Sequence, residues 1–314
     1  MICCASWDTP TRTDCAIPER HRIEIRCVSR IPALIATLVL SFAISACAGD
    51  SRPSTAGPTV QVLAPPLSMP GLERTRTLRI YLPPSYVTSD RRYPVIYMHD
   101  GQNLFDAASS FAGEWGVDET LDALAKSHRF EAIVIGIDNG GEKRMTELNA
   151  WPNERFGAAE GEQYLGFVVD VVKPYVDRHY RTQSGPEATA IIGSSMGGLA
   201  SHYAILARPD VFGMAGVLSP SYWVARPIFD MASSKVLPAT ARLYLYAGGK
   251  EGAEMTTDTR RMRAVLAKTT APDHFSLNIV DTADHNEAAW RAVFPAVVIW
   301  LFDLKPVAAQ AAGK

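Results

Sequence analysis

The sequence predicts an α/β fold with a mainly parallel central sheet and helices on both of its faces. Short runs of β-branched and aromatic residues alternate with longer amphipathic segments from about residue 76 to the C-terminus, the pattern of successive strand, crossover and helix units. Several short runs are apolar throughout, as expected for strands that helices cover on both sides. Sheets of this kind carry their active sites at the carboxyl ends of the strands.

Seven segments have the length and composition of strands, and five have the period of amphipathic helices. The predicted strands span 76–82, 94–98, 132–137, 189–192, 215–218, 242–246 and 275–280. The predicted helices span 117–126, 162–180, 199–207, 255–268 and 287–302. In the second helix, apolar residues recur at steps of three and four, which places one apolar stripe against the sheet. We therefore expect one large α/β domain.

Composition and charge exclude several classes of function. The 314-residue chain has a formal net charge of -2 and no cluster of Lys and Arg outside the N-terminal region, which argues against a nucleic-acid partner. All five cysteines lie within the first 47 residues: Cys3, Cys4, Cys15, Cys27 and Cys47. The rest of the chain therefore has no thiol for a disulfide, a thiolate metal site or a cysteine nucleophile.

The N-terminal region predicts export and a lipid anchor. Residues 31–46 are apolar but shorter than the roughly 20 residues that span a membrane, as in an export signal. They end at ISAC, which resembles a bacterial lipobox and predicts lipidation at Cys47 and a mature protein in the periplasm or on the cell surface. An ordinary signal peptide, or a buried segment with a chance cysteine, is the alternative, and a translation start downstream of Met1 is left open.

The predicted domain organisation follows from this division. Residues 48–71 are rich in Pro, Gly, Ser and Thr and predict a flexible linker. The predicted parts are an export signal over 1–47, the linker over 48–71, a catalytic domain over 72–304 and a disordered tail over 305–314.

Residues 193–198 (GSSMGG) follow an apolar strand directly and open a predicted helix. This is the setting of a G-x-S-x-G nucleophile elbow, in which glycines let the chain turn sharply and expose the serine. Ser195 is therefore the predicted nucleophile. The alternatives are a serine that only caps the helix, or a phosphate-binding loop, although no lysine follows the glycines as such a loop requires.

A serine nucleophile needs a base, and in α/β-hydrolases an acid and then a histidine follow it along the chain. His285 follows the last predicted strand, whereas His274 precedes that strand and belongs to the opposite end of the sheet. Glu251, just after the strand 242–246, is the predicted acid, with Glu254 and Asp258 as competitors. The acid would hold the imidazole in the correct tautomer and stabilise its charged form.

The oxyanion formed during acyl transfer needs two backbone N–H donors. One is predicted on Met196, the residue after the nucleophile, and the other in the loop HDGQN at 99–103. Within that loop Gln102 is the expected donor and Gly101 the second choice. The loop could equally be an ordinary turn, because Asp-Gly is a common turn pair.

These motifs together resemble an esterase family of α/β-hydrolases. It includes siderophore-ester hydrolases, feruloyl and acetylxylan esterases, S-formylglutathione hydrolase and mycobacterial mycolyltransferases. The resemblance covers about residues 72–304 and is closest to siderophore-esterase-like and feruloyl-esterase-like bacterial hydrolases. It rests on HDGQNLFD at 99–106, YRT at 180–182, GSSMGGLAS from Gly193, SPSYW at 219–223, and His285 with Glu287 and Trp290.

The resemblance implies a serine carboxylic-ester hydrolase that works through an acyl-enzyme and requires no cofactor or metal. Ser195 and His285 carry over as nucleophile and base, and Met196 and Gln102 as oxyanion donors, whereas some relatives have no clear acid. With export, it implies a siderophore-type, aromatic or acetyl ester outside the cytoplasm, either a small molecule or a cell-wall ester. An acyltransferase on the same scaffold and a non-catalytic, lipid-anchored binding module are the alternatives.

Four aromatic residues fall in loops expected near the carboxyl ends of the strands. These candidates for the substrate pocket are Trp115, Trp151, Tyr222 and Trp223. Their rings could stack on catechol, feruloyl or sugar groups. Ordinary packing within the loops is the alternative for each.

Overall fold

The computed structural model describes residues 52–307. The predicted export signal, with the lipidation site at Cys47, and residues 308–314 of the predicted tail lie outside these residues. Between residues 52 and 307, no helix is long and apolar enough to cross a membrane.

An eight-stranded sheet forms the centre of the domain, in the order β1-β4-β6-β5-β7-β8-β9-β10. Strands β5 to β10 pair in parallel, while β1 and β4 are antiparallel to their neighbours. A separate hairpin pairs β2 with β3. The strands are β1 (Val60–Val62), β2 (Leu67–Met69), β3 (Arg74–Arg76), β4 (Leu78–Tyr81), β5 (Val95–His99), β6 (Ile133–Ile137), β7 (Thr189–Ser194), β8 (Met214–Leu218), β9 (Arg242–Gly248) and β10 (Phe275–Val280).

Helices cover both faces of this sheet, which confirms the predicted fold class. The helices are α1 (Val117–His128), α2 (Arg144–Glu147), α3 (Gly161–Phe167), α4 (Lys173–His179), α5 (Met196–Ala207), α6 (Ile228–Ser234), α7 (Ala253–Leu266) and α8 (Glu287–Leu301). One apolar core takes residues from α3, α5, α6 and α7, and a second core on the other face takes residues from α1 and α8. The central strands are buried along their whole length because both cores press on them.

The predicted helix over 162–180 is continuous but irregular. A π-helical turn over Val168–Val172 joins α3 to α4. Pro174 follows this turn and has no N–H to donate to the carbonyl of Asp170, which accounts for the local departure from α-helical bonding. The apolar stripe predicted from the sequence stays in the core, where Val168, Val172 and Val176 have no exposed surface.

The prediction of a flexible linker over 48–71 is wrong for the part of it that the structure describes. Val60–Val62 adds an edge strand to β4, and Leu67–Met69 pairs with β3. Upstream of these, the backbone N–H groups of Thr55 and Gly57 donate to Asp106 and Asp118. Composition predicted disorder because the segment buries little apolar surface, but backbone hydrogen bonds to a preformed sheet edge do not depend on it.

Four of the predicted site residues follow strands that run in the same direction. Gln102 comes after β5, Ser195 after β7, Glu251 after β9 and His285 after β10. Because these strands are parallel, their carboxyl ends lie at one edge of the sheet, and this brings residues together that are up to 183 positions apart in the sequence.

Candidate active site

Ser195 occupies a sharp turn between β7 and α5. Its φ of 58° and ψ of -119° lie in a region that a residue with a side chain rarely adopts. Its N–H donates to the carbonyl of Leu218 at 2.9 Å, which holds the turn against the neighbouring strand. A Cβ on Gly193 would lie 2.6 Å from the backbone of Gly197, so the turn requires glycine at that position. The backbone strain is thus local to the residue that the sequence predicts as nucleophile.

His285 and Glu251 form a hydrogen-bonded pair beside this turn. Nδ1 of His285 lies 2.8 Å from Oε2 of Glu251. The Glu251 side chain is 0% exposed, whereas that of His285 is 37% exposed. The other carboxylate oxygen, Oε1, accepts hydrogen bonds from the backbone N–H of Gly248 and the hydroxyl of Ser219, both at 2.6 Å. The buried carboxylate therefore has a partner on each oxygen.

Trp290 completes this network from the last helix. Its indole N–H donates to the hydroxyl of Ser219 at 2.9 Å, so a chain of hydrogen bonds runs from Trp290 through Ser219 and Glu251 to His285. The edge of one ring also meets the face of the other, because the Trp290 and His285 rings are 5.0 Å apart and inclined at 85°. The imidazole is held by a hydrogen bond on one side and by packing on the other.

The alternative candidates for the acid and for the base lie away from this pair. Glu254 and Asp258 lie on α7 and both pair with Arg226, which precedes α6. His274 precedes β10, and its Nδ1 lies 3.0 Å from the carbonyl of Ala241. The tertiary structure thus brings Glu251, and neither of its competitors, to His285.

Ser195 and His285 open onto one cleft of about 670 Å³, a volume suited to a small organic ligand. Apolar groups form the larger part of its walls. The other lining residues are His99, Asp100, Gln102, Asn103, Phe111, Ala112, Trp115, Asn139, Gly141, Arg144, Ser194, Glu287 and Trp290.

The two predicted oxyanion donors are both close to Ser195. Gln102 lines the cleft, and Met196 directly follows Ser195 in the sequence. Met196 is the first residue of α5, and an N–H in the first turn of a helix has no partner within the helix. Gln102 lies in a short 3-10 turn over Gly101–Asn103. Within residues 52–307, neither of these N–H groups donates to a protein acceptor. Both are therefore available to an oxygen atom of a bound molecule.

Three charged residues also line the cleft: Asp100, Arg144 and Glu287. None of them was predicted from the sequence to be part of the site. Asp100, with a φ of 57°, binds Arg144 through two hydrogen bonds of 2.6 and 2.9 Å. Burial opposes the charge on Asp100, but the hydrogen bonds from Arg144 keep the pKa of Asp100 below its usual value. Burial raises the pKa of Glu287. Asp100 lay within the HDGQN motif, whereas no local signal marks Arg144.

Of the four aromatic pocket candidates, only Trp115 lines the cleft. Its ring packs 5.9 Å from that of Trp290, which the sequence analysis had not assigned to the pocket. Phe111, 92% exposed, lies at the rim of the same cleft and was also not predicted.

The prediction is wrong for the other three aromatic residues. Tyr222 is fully buried, and its hydroxyl lies 2.8 Å from Nδ1 of His202. Trp151 packs against Tyr203 on α5, and Trp223 packs at the surface. Tyr222 and Trp151 pack in or against the core that includes α5, Trp223 is 42% exposed, and none of the three lines the cleft.

Comparison with known proteins agrees with this architecture. Residues 70–301 match the family model described as "Putative esterase", and the chain belongs to this family. The chain is 29% identical to the uncharacterized protein YbbA of Bacillus subtilis, over 72% of the chain and 92% of YbbA. It is 24% identical to an endo-1,4-beta-xylanase/feruloyl esterase of Xylanibacter ruminicola, over 58% of the chain and 24% of that protein.

A solved structure shares the fold. The crystal structure of the enterobactin esterase from Shigella flexneri superposes with a TM-score of 0.63 at 21% identity, covering 80% of this chain and 60% of that one. The predicted α/β-hydrolase fold is confirmed. The family, together with its feruloyl-esterase and siderophore-esterase relatives, makes the chain a carboxylic ester hydrolase.

Proposed function

We propose that this esterase cleaves its substrate through an acyl-enzyme formed on Ser195. The observation that carries the proposal is the contact of 2.8 Å between the buried Glu251 carboxylate and Nδ1 of His285, at the same cleft as Ser195. A carboxylate at Nδ1 holds the proton there and leaves Nε2 free to accept a proton. The base that a serine nucleophile needs is thereby preorganised.

The reaction takes two steps. The Ser195 oxygen attacks the ester carbonyl while His285 accepts the hydroxyl proton, and His285 returns that proton to the departing alkoxide. Water then attacks the acyl-enzyme, His285 accepts its proton, and the Ser195 oxygen leaves and takes the proton back. The charged imidazole that forms in each step lies against the Glu251 carboxylate, which lowers the cost of forming it.

The negative charge that develops on the carbonyl oxygen has two proposed donors, the backbone N–H groups of Met196 and Gln102. The start of α5 adds a favourable dipole at the same place. Gln102 is held in position because its side-chain oxygen accepts the backbone N–H of Asn139 at 3.1 Å. A backbone donor fixed in this way pays no reorganisation cost when the charge appears.

For the substrate we propose a siderophore-type, aromatic or acetyl ester outside the cytoplasm. The cleft is lined by Trp115 and Trp290 together with polar residues such as Asn103 and Arg144, a combination that suits a planar acyl group carrying hydroxyls. Relatives named as a feruloyl esterase and as an iron(III) salmochelin esterase support the same choice. Export through the N-terminal signal, and anchoring through Cys47, stay predictions from the sequence.

The test is hydrolysis of p-nitrophenyl acetate and butyrate by the full chain and by Ser195→Ala and His285→Ala. We expect the wild-type protein to hydrolyse both esters and each variant to lose activity by a factor on the order of 10⁴ or more. His274→Ala is the matched control, because this histidine lies at the opposite end of the sheet. It should keep wild-type activity.

Two outcomes would favour the other functions considered. If the wild-type protein is inert and a fluorophosphonate probe does not label Ser195, the chain is a binding module and the acyl-enzyme proposal is wrong. If an added alcohol captures most of the acyl group in competition with water, the second step is acyl transfer and the protein is a transferase.

A further inference from the structure

Three carboxylates meet at the start of α1, outside the proposed ester-cleaving residues. They belong to Glu114, in the loop before the helix, and to Asp118 and Glu119, in its first turn. One oxygen from each side chain lies within 4.8 Å of one oxygen from each of the others. Acidic residues are common in the first turn of a helix because they favour its dipole, so proximity alone does not define a site.

Asp118 provides the independent observation. It is 2% exposed, and its Oδ2 accepts the backbone N–H of Gly57 at 2.7 Å. Its Oδ1 is buried and has no hydrogen-bond partner among residues 52–307. A buried carboxylate oxygen without a hydrogen-bond donor is costly. A positive charge at this point would remove the cost.

The protein supplies little positive charge of its own here. Arg291 is the one basic partner of Glu114 within the described part of the chain, and their closest atoms, Nη1 and Oε2, are 3.9 Å apart. The three carboxylates therefore have one guanidinium nearby, and its distance to Glu114 is close to the longest that still counts as an ion pair. Asp118 and Glu119 have no basic side chain within ion-pair distance in the same part of the chain.

We propose that Glu114, Asp118 and Glu119 bind a hard divalent cation of the size of Ca²⁺. Oxygen ligands lie about 2.3–2.6 Å from Ca²⁺, so two ligands of one ion are at most about 4.6–5.2 Å apart, and the observed spacing falls within this limit. Mg²⁺ demands near-ideal octahedral geometry and usually keeps several of its waters, so a site of three protein carboxylates suits Ca²⁺ better. Glu119 is exposed and gives the ion a path to solvent and to water ligands, whereas Asp118 anchors the site from inside.

The ion would join three parts of the molecule. Glu114 accepts a hydrogen bond from the Thr55 hydroxyl at 3.0 Å, and Asp118 accepts one from the backbone N–H of Gly57. The segment around Thr55 and Gly57, called the N-terminal segment here, is therefore bound to two of the proposed ligands. The loop that carries Glu114 also carries Phe111 and Trp115, which line the cleft. A cation would therefore fix one wall of the cleft to α1 and to the N-terminal segment, without touching Ser195 or His285.

The test is calorimetric titration of the metal-free full chain with CaCl₂, together with thermal unfolding in the presence and absence of the salt. We expect one site with a Kd on the order of 10⁻⁴–10⁻³ M, and a rise in Tm of several degrees at about 10 mM Ca²⁺. Asp118→Asn keeps the acceptor for Gly57 but removes the charge. This variant should lose both the heat and the Tm rise, while its Tm without calcium stays at or above that of the wild type.

The control is Asp230→Asn, which removes an exposed carboxylate on α6 and should leave calcium binding unchanged. No heat and no Tm change in the wild type would overturn the proposal, and so would an equal Tm rise in Asp118→Asn. A rise caused equally by NaCl at matched ionic strength would do the same. A Tm rise with MgCl₂ larger than that with CaCl₂ would overturn the assignment of ion size. These measurements do not use ester hydrolysis, so they are independent of the proposed acyl-enzyme mechanism.

Discussion

At the scale of single residues, the geometry of the candidate site depends on the hydrogen bonds of one buried carboxylate, that of Glu251. Oε1 of Glu251 accepts two hydrogen bonds, from Gly248 and Ser219, and Oε2 faces His285. The first two donors fix the orientation of the carboxylate, and among residues 52–307 the second oxygen has the imidazole as its one partner. Ser219 can serve in this way because its backbone adopts a positive φ of 44°, which turns its hydroxyl toward both Glu251 and Trp290.

This arrangement predicts the effect of Glu251→Gln. The amide oxygen would accept from Gly248 and Ser219, so the amide NH₂ would face Nδ1 of His285 and make that nitrogen an acceptor. The proton then moves to Nε2, and the imidazole can no longer accept a proton from Ser195. We expect kcat for p-nitrophenyl butyrate to fall by a factor on the order of 10²–10⁴ with little change in KM.

Glu254→Gln is the matched control for this prediction. The Glu254 side chain is 67% exposed and pairs with Arg226, so its loss should change kcat by no more than about twofold. A larger loss in Glu254→Gln than in Glu251→Gln would show that the acid had been assigned wrongly. Equal and small losses would mean that Ser195 and His285 work without an acid.

At the scale of elements, the edge strand β1 shows how backbone hydrogen bonds order a segment of linker-like composition. The N–H of Leu63 donates to the carbonyl of Leu78, and the N–H of Leu82 donates to the carbonyl of Thr59. In an antiparallel pair, hydrogen-bonded positions alternate. The pair of Gln61 and Ile80, midway between the other two, therefore also exchanges hydrogen bonds, whereas the N–H of Val62 points away from β4.

Proline substitutions at these two adjacent positions should therefore differ in effect. Gln61→Pro removes a ladder hydrogen bond and should lower the free energy of unfolding by about 1–3 kcal/mol. Val62→Pro removes an N–H that faces solvent at the edge of the sheet, and should cost clearly less. Denaturant unfolding of both variants measures the difference. Equal losses would contradict the register between β1 and β4.

At the scale of the whole molecule, two buried histidines link folding to pH. His99 hydrogen-bonds to Tyr164 and His202 to Tyr222, each through Nδ1 at 2.8 Å. Burial lowers the pKa of His99 to about 4 and that of His202 to about 3. In each ring, Nε2 is buried and has no partner among residues 52–307. Protonating either ring would place an unpaired charge in the core.

The sign of the pH dependence follows from these values. The histidines of the unfolded chain bind protons below about pH 6.5, whereas the folded chain keeps both rings neutral to about pH 4, so stability falls as the pH falls through this window. Asp118 acts in the opposite direction, because the folded chain holds its proton up to about pH 7. Each of the two histidines contributes a slope of up to roughly 1.4 kcal/mol per pH unit between about pH 6 and pH 4.5.

Denaturant unfolding at several pH values measures this slope. The double variant His202→Leu/Tyr222→Phe removes one of the two histidines together with its partner, and should reduce the slope by about one proton. Tyr222→Phe alone removes the same hydroxyl and keeps the imidazole, so it should keep the wild-type slope. An unchanged slope in the double variant would show that His202 does not contribute to the acid sensitivity.

The sequence alone determined the class of fold and singled out Ser195 and His285 as the two most specific candidates for the site. Parallel strands covered on both faces are apolar along their whole length, and amphipathic helices repeat every 3.6 residues, so all seven predicted strands and all five predicted helices are present. The steric demands of the turn at Ser195 restrict the residues around it to a recognisable local pattern. His285 was found because it follows the last strand of the sheet. Each of these features lies within a short, continuous stretch of the chain and can therefore be recognised in the sequence.

Only the tertiary structure decided which distant groups meet. The sequence favoured Glu251 over Glu254 and Asp258 but left all three open, whereas the structure places Glu251 beside His285 and pairs the other two with Arg226. The same holds for Arg144 at Asp100 and for Gly57 at Asp118. Hydrogen bonds and ion pairs of this kind join residues with no periodic relation along the chain, so their formation depends on how the elements pack and leaves no pattern in the sequence.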